Sequence, residues 1–545
     1  MKKYAGIFGI VILGIILRLI FIDKPDGLWN DEYVSWMIAA APFNNGFISA
    51  VKSQCHMPFY YLYLKFFMTL FGQSDLLLRL TSVFAGILSI IAMYFTGREK
   101  DEKTGLTCAS LTAISSFLIY YSQEVRLYSV LFLFSALSLL YTLRCIKNPV
   151  KKNFVLCALF NFLILFTHTI GFVFVFFNLI FLSINLYKQF KKVILTVWLT
   201  IFAGGIILSP LILKILTTQS FSQWWGHFSI SKLGFLFTDY FSPVLTNLTN
   251  APDKFLYAPK LAFFMLVPTF IATVCIIKSL IKNKLNIELF AIFAGTVLVL
   301  VTASLTGKLV FITKYSIEIY PILIFLACSG LTSINNKIIK NSLIIIYCLI
   351  SVGYIILHPY SAPKMRRAEG HKIMTDILTR MDLKKNDIIL LEYYPQTRFQ
   401  KYFDFSPYRV VEIHKGNFPM YLSPSRTYED AYKNGKTIYK SVFSSKQNTY
   451  FQSMLNNQIF NRMENGQSVV MAVLNSVSFY SPQSMEKITA DENLYNKEPL
   501  LFLVFSYVKN KTFAEMLEKL AIVKFEQKGN WTLIKFTKLN NNKEN

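Results

Sequence analysis

Eleven runs of predominantly apolar residues crowd the first 358 positions of this chain, near 4–22, 78–97, 104–121, 127–143, 154–168, 170–187, 193–213, 259–281, 287–306, 316–333 and 341–358. A helix that crosses the hydrocarbon core of a bilayer needs about 20 such residues. Few other arrangements of a chain can hide that much apolar surface. Hydrophobic residues make up 53% of the sequence and charged residues 16%, against roughly 25% charged in an ordinary globular protein. A disordered chain, a collagen and a conventional soluble enzyme are excluded, and an α-helical polytopic membrane protein with about eleven transmembrane helices is expected. The first run lacks a small-residue cleavage site and reads as an anchor rather than a signal peptide. The long stretch 154–187 is divided at Thr167-His168-Thr169-Ile170-Gly171, where polar residues and Gly mark a tight turn.

Charge separates the chain into two parts. Residues 1–359 hold 13 of the 31 Asp and Glu, while residues 360–545 hold the other 18 together with 27 of the 56 Lys and Arg. We therefore expect a membrane module over 1–359 and an extracytoplasmic α/β domain over 360–545. All seven Cys lie at or before Cys348, so the C-terminal part must fold without disulfides. A net charge of +25 raises the question of nucleic acid, but the basic residues sit in short clusters between apolar runs, as lipid orientation requires. No nucleic-acid partner is expected. Alternate loops carry Lys2 and Lys3; Arg98, Lys100 and Lys103; Arg144, Lys147, Lys151 and Lys152; Lys188, Lys191 and Lys192; Lys278, Lys282 and Lys284; Lys337 and Lys340. Every loop on that side is basic, which makes it cytoplasmic and puts the N-terminus inside and residues 360–545 outside. A bacterial inner (cytoplasmic) membrane is the expected location.

Most acids of the membrane part then fall on the outer face: Asp23, Asp26, Asp31, Glu32, Asp75, Glu124, Asp239, Asp253 and Glu318. An ion-coupled transporter keeps ionisable groups near mid-membrane. Polar chemistry gathered at one lipid–water boundary points instead to an enzyme acting on a lipid-borne substrate. Its first outer loop, 23–77, opens with Leu28-Trp29-Asn30-Asp31-Glu32-Tyr33. Adjacent carboxylates suit a divalent cation, or a general base for a hydroxyl; the plain alternative is a solvated acid beside an interfacial Trp. The loop continues with His56-Met57-Pro58-Phe59-Tyr60-Tyr61-Leu62-Tyr63, dense in aromatics as an interfacial helix would be. Arg79 follows in Leu78-Arg79-Leu80-Thr81, where snorkelling explains it equally well. A later outer turn reads Ser122-Gln123-Glu124-Val125-Arg126-Leu127-Tyr128. Arg126 suits a phosphate, whose oxygens match a guanidinium fork, and a buried Glu124–Arg126 pair is the structural alternative. Another outer turn supplies Lys308, then Thr313-Lys314-Tyr315 and Pro321. His168 reads as a satisfied turn residue or a ligand; any metal set would draw on Asp31, Glu32, Glu124 and His168.

Taken in order, the Asp-Glu-Tyr after the first span, the His-x-Pro-x-Tyr-Tyr, the Phe-Gly…Leu-Arg-Leu, the Gln-Glu-x-Arg-x-Tyr, the Thr-His and the basic-Tyr…Pro resemble the multispanning GT-C glycosyltransferases of the protein O-mannosyltransferase and lipid A aminoarabinose-transferase superfamily (glycosyltransferase family 39-like). The resemblance covers about residues 1–335. It implies a polyprenyl-phosphate sugar as donor and transfer on the extracytoplasmic side to a glycan, lipid or protein acceptor. It further implies Asp31 as base, Glu32 as its assistant, and Glu124 and Arg126 near the donor phosphate, with Lys308, Lys314 and Tyr315 from the late turn and His56, Tyr60, Arg79, Tyr128 and His168 around them. Two departures stand out: His56-Met57-Pro58 replaces the usual His-Pro-Pro, and Lys314 stands where Arg usually precedes Tyr, giving a point charge in place of a bidentate fork. A transporter or flippase of lipid-linked saccharide is the main competing class; a non-catalytic envelope scaffold is a second. No Walker loop or dinucleotide fingerprint occurs, as expected where the donor is already a phosphate ester.

In the C-terminal part a helix near 368–381, strands over Asn386–Leu391, Tyr408–Ile413 and Ser468–Leu474, a helix over Phe513–Leu520, a strand over Ala521–Phe525 and a terminal hairpin through Gly529–Phe536 are expected. Sequons stand at Asn247, Asn510 and Asn530, and the tail 540–545 is polar.

Overall fold

The structure is a computed structural model, and it describes residues 2–20, 22–23, 27–43, 45–53, 57–217, 228–243, 259–281, 283–305, 311–357, 371–392, 399–413, 463, 466–474, 520–528 and 531–538. His56, Lys308, the three sequons, the tail 540–545 and all but the last residue of the helix expected over Phe513–Leu520 lie outside the described residues. Leu520 itself opens a strand. The chain forms two compact units: Met1–Asp23 with Val34–Met365, and Lys24–Tyr33 with Arg366–Asn545.

The first unit is helical. In chain order it contains α1 (Lys2–Leu19), most of α2 (Asn30–Ala40), α3 (Asn45–Ser53), α4 (Phe59–Phe71), α5 (Asp75–Arg98), α6 (Glu102–Ile114), α7 (Ser116–Ser122), α8 (Tyr128–Lys147), α9 (Lys151–Thr167), α10 (Gly171–Thr217), α11 (Ser231–Phe241), α12 (Pro259–Ile281), α13 (Lys284–Leu305), a 3₁₀ helix (Thr313–Ile319), α14 (Tyr320–Thr332) and α15 (Lys337–Leu357). Every apolar run read from the sequence falls largely on these helices, with 104–121 and 316–333 each divided between two of them. Among the described residues five helices are long and apolar enough to cross a membrane, or six if α6 and α7 count as one bent span. The chain is a multi-pass membrane protein of largely helical fold.

Two departures from the sequence expectation have local causes. Runs 170–187 and 193–213 form two helices that meet directly at a kink at Phe190 (φ −126°, ψ 35°) and are described together as α10; the lysines at 188, 191 and 192 flank that kink rather than a separate loop. Run 104–121 is broken by a 59° bend between α6 and α7. Neither Gly nor Pro marks that break. Ser115 is extended there and its Oγ accepts the Leu118 N–H at 3.4 Å, capping α7. The carbonyls released at the end of α6 are taken by Arg18 of α1, whose guanidinium donates to the oxygens of Ala113 at 3.0 Å and Thr112 at 3.1 Å and to Ser122 Oγ at 3.2 Å. A cation at a helix C-terminus also opposes the negative end of the macrodipole. Gln123 returns the favour, its Nε2 donating to the carbonyls of Arg18 at 3.0 Å and Ile20 at 2.7 Å at the end of α1.

Close helix approach appears at α12 and α14. A Cβ placed on Gly330 would lie 1.8 Å from the Cys275 carbonyl oxygen, a backbone atom that cannot swing aside. Gly330→Ala is therefore expected to destabilise the bundle by about 3 kcal/mol, within the range for overpacked cores, and thermal unfolding in detergent would read it as a lowered midpoint.

The second unit carries α16 (His371–Thr379) and strands β1 (Ile388–Glu392), β2 (Arg409–Ile413), β3 (Ser468–Leu474), β4 (Leu520–Lys528) and β5 (Trp531–Lys538). The sheet order is β2-β1-β3-β5-β4. β1 runs parallel to both β2 and β3, whereas β5 runs antiparallel to β3 and β4. Ile373, Met374, Ile377 and Leu378 of α16 pack with Ile389, Leu391, Val470 and Leu533 of the sheet and with the fully buried Phe399 in one core. Asp387 locks the register: its Oδ1 accepts the Ser468 N–H at 2.9 Å and its Oδ2 the Lys384 N–H at 2.8 Å.

Candidate active site

Within the helical unit, several residues singled out from the sequence converge. α7 ends at Ser122 and α8 begins at Tyr128, so Gln123–Leu127 form a tight turn that aims short-range neighbours at one spot. The guanidinium carbon of Arg126 lies 5.9 Å from the centroid of the Tyr128 ring, and the Lys314 Nζ lies 6.0 Å from the same centroid. Lys314, on the 3₁₀ helix, is also 5.2 Å from the ring of Tyr315. The Tyr315 ring in turn sits 5.9 Å from that of His168, and the Nδ1 of His168 is buried with no hydrogen-bond partner among the described residues. Arg126, Lys314 and Tyr128 are all buried.

Two cations beside one aromatic ring are favourable partners of its quadrupole, yet each costs several kcal/mol to remove from water. Such a pair is chemically suited to an anion with several oxygens, above all a phosphate. Glu124 is buried in the same turn, and its Oε1 accepts the Tyr120 hydroxyl at 2.5 Å. Arg126 Nη1 reaches Ser35 Oγ of α2 at 3.5 Å, a partner with no signal in the sequence. Tyr60, on α4, is fully buried within the field of Arg126, and burial pushes its phenol well above the ordinary range. Arg79 does not snorkel; it is fully buried on α5. The far end of α2 is capped by Lys65, whose Nζ donates to the carbonyls of Ala39 at 2.9 Å and Ala41 at 2.6 Å. Burial lowers that ammonium from its ordinary value.

Within the second unit lie the two carboxylates. Asp31 and Glu32 occupy the first turn of α2, where the positive end of the helix dipole favours them. Glu32 is fully buried and its Oε2 accepts the Trp29 N–H at 3.2 Å; Asp31 is half-buried. Among the described residues no group of three or more His, Cys, Asp or Glu side chains is placed to hold a metal ion.

Residues 55–213 match the family described as dolichyl-phosphate-mannose-protein mannosyltransferase. No curated protein matches the chain by sequence. Among solved structures, ArnT from Cupriavidus metallidurans in the apo state is similar over 98% of this chain and 98% of its own, at 11% identity and a TM-score of 0.51. The same protein bound to undecaprenyl phosphate gives 10% identity, the same 98% coverages and a TM-score of 0.47. The Archaeoglobus fulgidus oligosaccharyltransferase tethered with an acceptor peptide gives 12% identity over 99% of this chain and 75% of that one, with a TM-score of 0.48. The chain thus has the fold of the GT-C glycosyltransferases.

Proposed function

We propose that this chain is a membrane glycosyltransferase that moves a sugar from a polyprenyl-phosphate donor to an acceptor hydroxyl or amine on the extracytoplasmic face. The observation that carries the reading is the convergence of Arg126 and Lys314 on the ring of Tyr128. The family matched over 55–213 is described by a dolichyl-phosphate sugar, and ArnT, whose apo form shares the fold, has been solved with undecaprenyl phosphate; both support a lipid phosphate at such a cationic pair.

In the reaction Asp31 takes the proton from the acceptor as its oxygen or nitrogen attacks the anomeric carbon. The bond between that carbon and the phosphate oxygen breaks, and its electron pair leaves with the lipid phosphate. Arg126 and Lys314 meet the charge that develops there, a stabilisation worth most in a dry site. One displacement inverts the anomeric centre. Glu32 braces the turn that carries Asp31 through the Trp29 N–H. Lys308 and His56 belong to the same proposed site, as do Tyr315, Tyr60, Arg79 and His168; Glu124 holds Tyr120 beside it. The topology belongs to the same proposal: eleven spans, N-terminus inside, module 1–359 in a bacterial inner membrane and domain 360–545 outside.

Purified chain in lipid nanodiscs, given a polyprenyl-phosphate sugar and a candidate acceptor, tests this. Release of polyprenyl phosphate matched mole for mole by glycosylated acceptor is expected. Movement of intact lipid-linked sugar between leaflets without its cleavage would instead identify a flippase.

A further inference from the structure

Resting on the assignment of Asp31 and Glu32 as the reacting carboxylates, we propose that the C-terminal α/β unit is the positioning element for them, with Tyr402 and His371 as its positioning residues. The short strip Lys24–Tyr33 belongs to the compact unit of the sheet, although more than 330 residues separate the two in sequence. It is fastened at two points that flank the carboxylates. At the first, Leu28 is held through both of its backbone groups: its N–H donates to the Tyr402 hydroxyl at 2.8 Å, and its carbonyl accepts the His371 N–H at 3.5 Å. Gly27 makes that approach possible. Its φ of +78° lies in the region that favours glycine, and a Cβ there would sit 2.6 Å from Lys372 Cβ and 3.0 Å from the Tyr402 hydroxyl. At the second point the Tyr33 ring stacks on the His371 imidazole, with centroids 5.0 Å apart and planes 26° from parallel. His371 rests in turn on Phe399, 5.2 Å away, in the core that α16 makes with the sheet.

Asp31 and Glu32 stand between these two fastenings. The first turn of α2 is thereby tied to α16 and the 399–405 turn through Leu28 and Tyr33. Catalytic groups displaced by about 1 Å lose up to roughly 100-fold in rate, which makes a rigid mount consequential. The C-terminal unit thereby acquires a role in the chemistry itself, distinct from acceptor binding or from covering the site.

The test uses the full chain in nanodiscs with Tyr402→Phe, His371→Ala and His371→Phe. Tyr402→Phe removes only the oxygen that accepts the buried Leu28 N–H. It is expected to lower kcat about tenfold with the donor KM within about twofold, and to speed amide exchange across 27–33 while exchange in the sheet strands stays as in wild type. His371→Ala should do the same, and His371→Phe, which keeps a ring under Tyr33, should recover most of kcat. Wild-type kcat and wild-type protection of 27–33 in both Tyr402→Phe and His371→Ala would overturn the proposal. A loss confined to donor KM would also overturn it, by placing the two residues in donor binding. Failure of the underlying reading looks different: Asp31→Asn would then keep full turnover, whatever the Tyr402 and His371 variants do.

Discussion

Asp31→Asn is expected to reduce kcat for sugar transfer about 10³-fold, equivalent to about 4 kcal/mol of barrier, with little change in donor affinity. The substitution keeps the size and hydrogen-bonding shape of the side chain and takes away only its ability to accept a proton. Asp31 lies in the first turn of α2 and is half-buried, so the amide fits where the carboxylate stood. Initial rates with purified protein, compared with binding of polyprenyl phosphate alone, separate the two effects. A variant that loses turnover and still binds the lipid has lost its base. A variant that loses both has lost its fold, and the nanodisc preparation would show this as a lowered unfolding midpoint.

Arg126→Ala carries the second large effect, a loss of about 10²- to 10³-fold in kcat. The guanidinium shares the Tyr128 ring with Lys314, so its removal leaves only lysine point charges to meet a phosphate leaving group. Arg126→Lys should recover only part of the loss, because an ammonium restores charge without the planar fork that engages two phosphate oxygens. The defect should be smallest for a donor analogue whose leaving group needs little charge stabilisation, such as a sugar with a low-pKa leaving group. Initial rates with both donors read this directly, and equal losses on the two would remove Arg126 from the leaving-group side.

The physical basis of what could be read from the chain differs from one element to the next. Apolar length made the helices legible, because a bilayer demands it residue by residue. The bend at Ser115 was not legible: no Gly or Pro marks it, and the carbonyls it frees are answered by Arg18, 95 positions away from Ala113 in sequence. Strands β1, β2, β3 and β5 followed from β-branched and apolar runs, and the antiparallel pairing of β4 with β5 from the short turn between them. The strand order did not follow, since parallel neighbours such as β1 and β3 are joined by long connections. In the site, the short spacing from Gln123 to Tyr128 already implied a crowded turn. Ser35 carried no signal, and Glu124 proved to hold Tyr120. The grip of Tyr402 on Leu28 spans 374 positions; nothing local in either segment announces it.

Electron cryo-microscopy of the full chain with polyprenyl phosphate bound is the most direct measurement of the central claim. The expected result is the phosphate held by Arg126 and Lys314 beside the Tyr128 ring, with the Asp31 carboxylate within hydrogen-bond reach, about 3 Å, of an acceptor hydroxyl placed for attack. A phosphate seated away from both cations, or an Asp31 carboxylate facing bulk solvent with no cleft beside it, would contradict it.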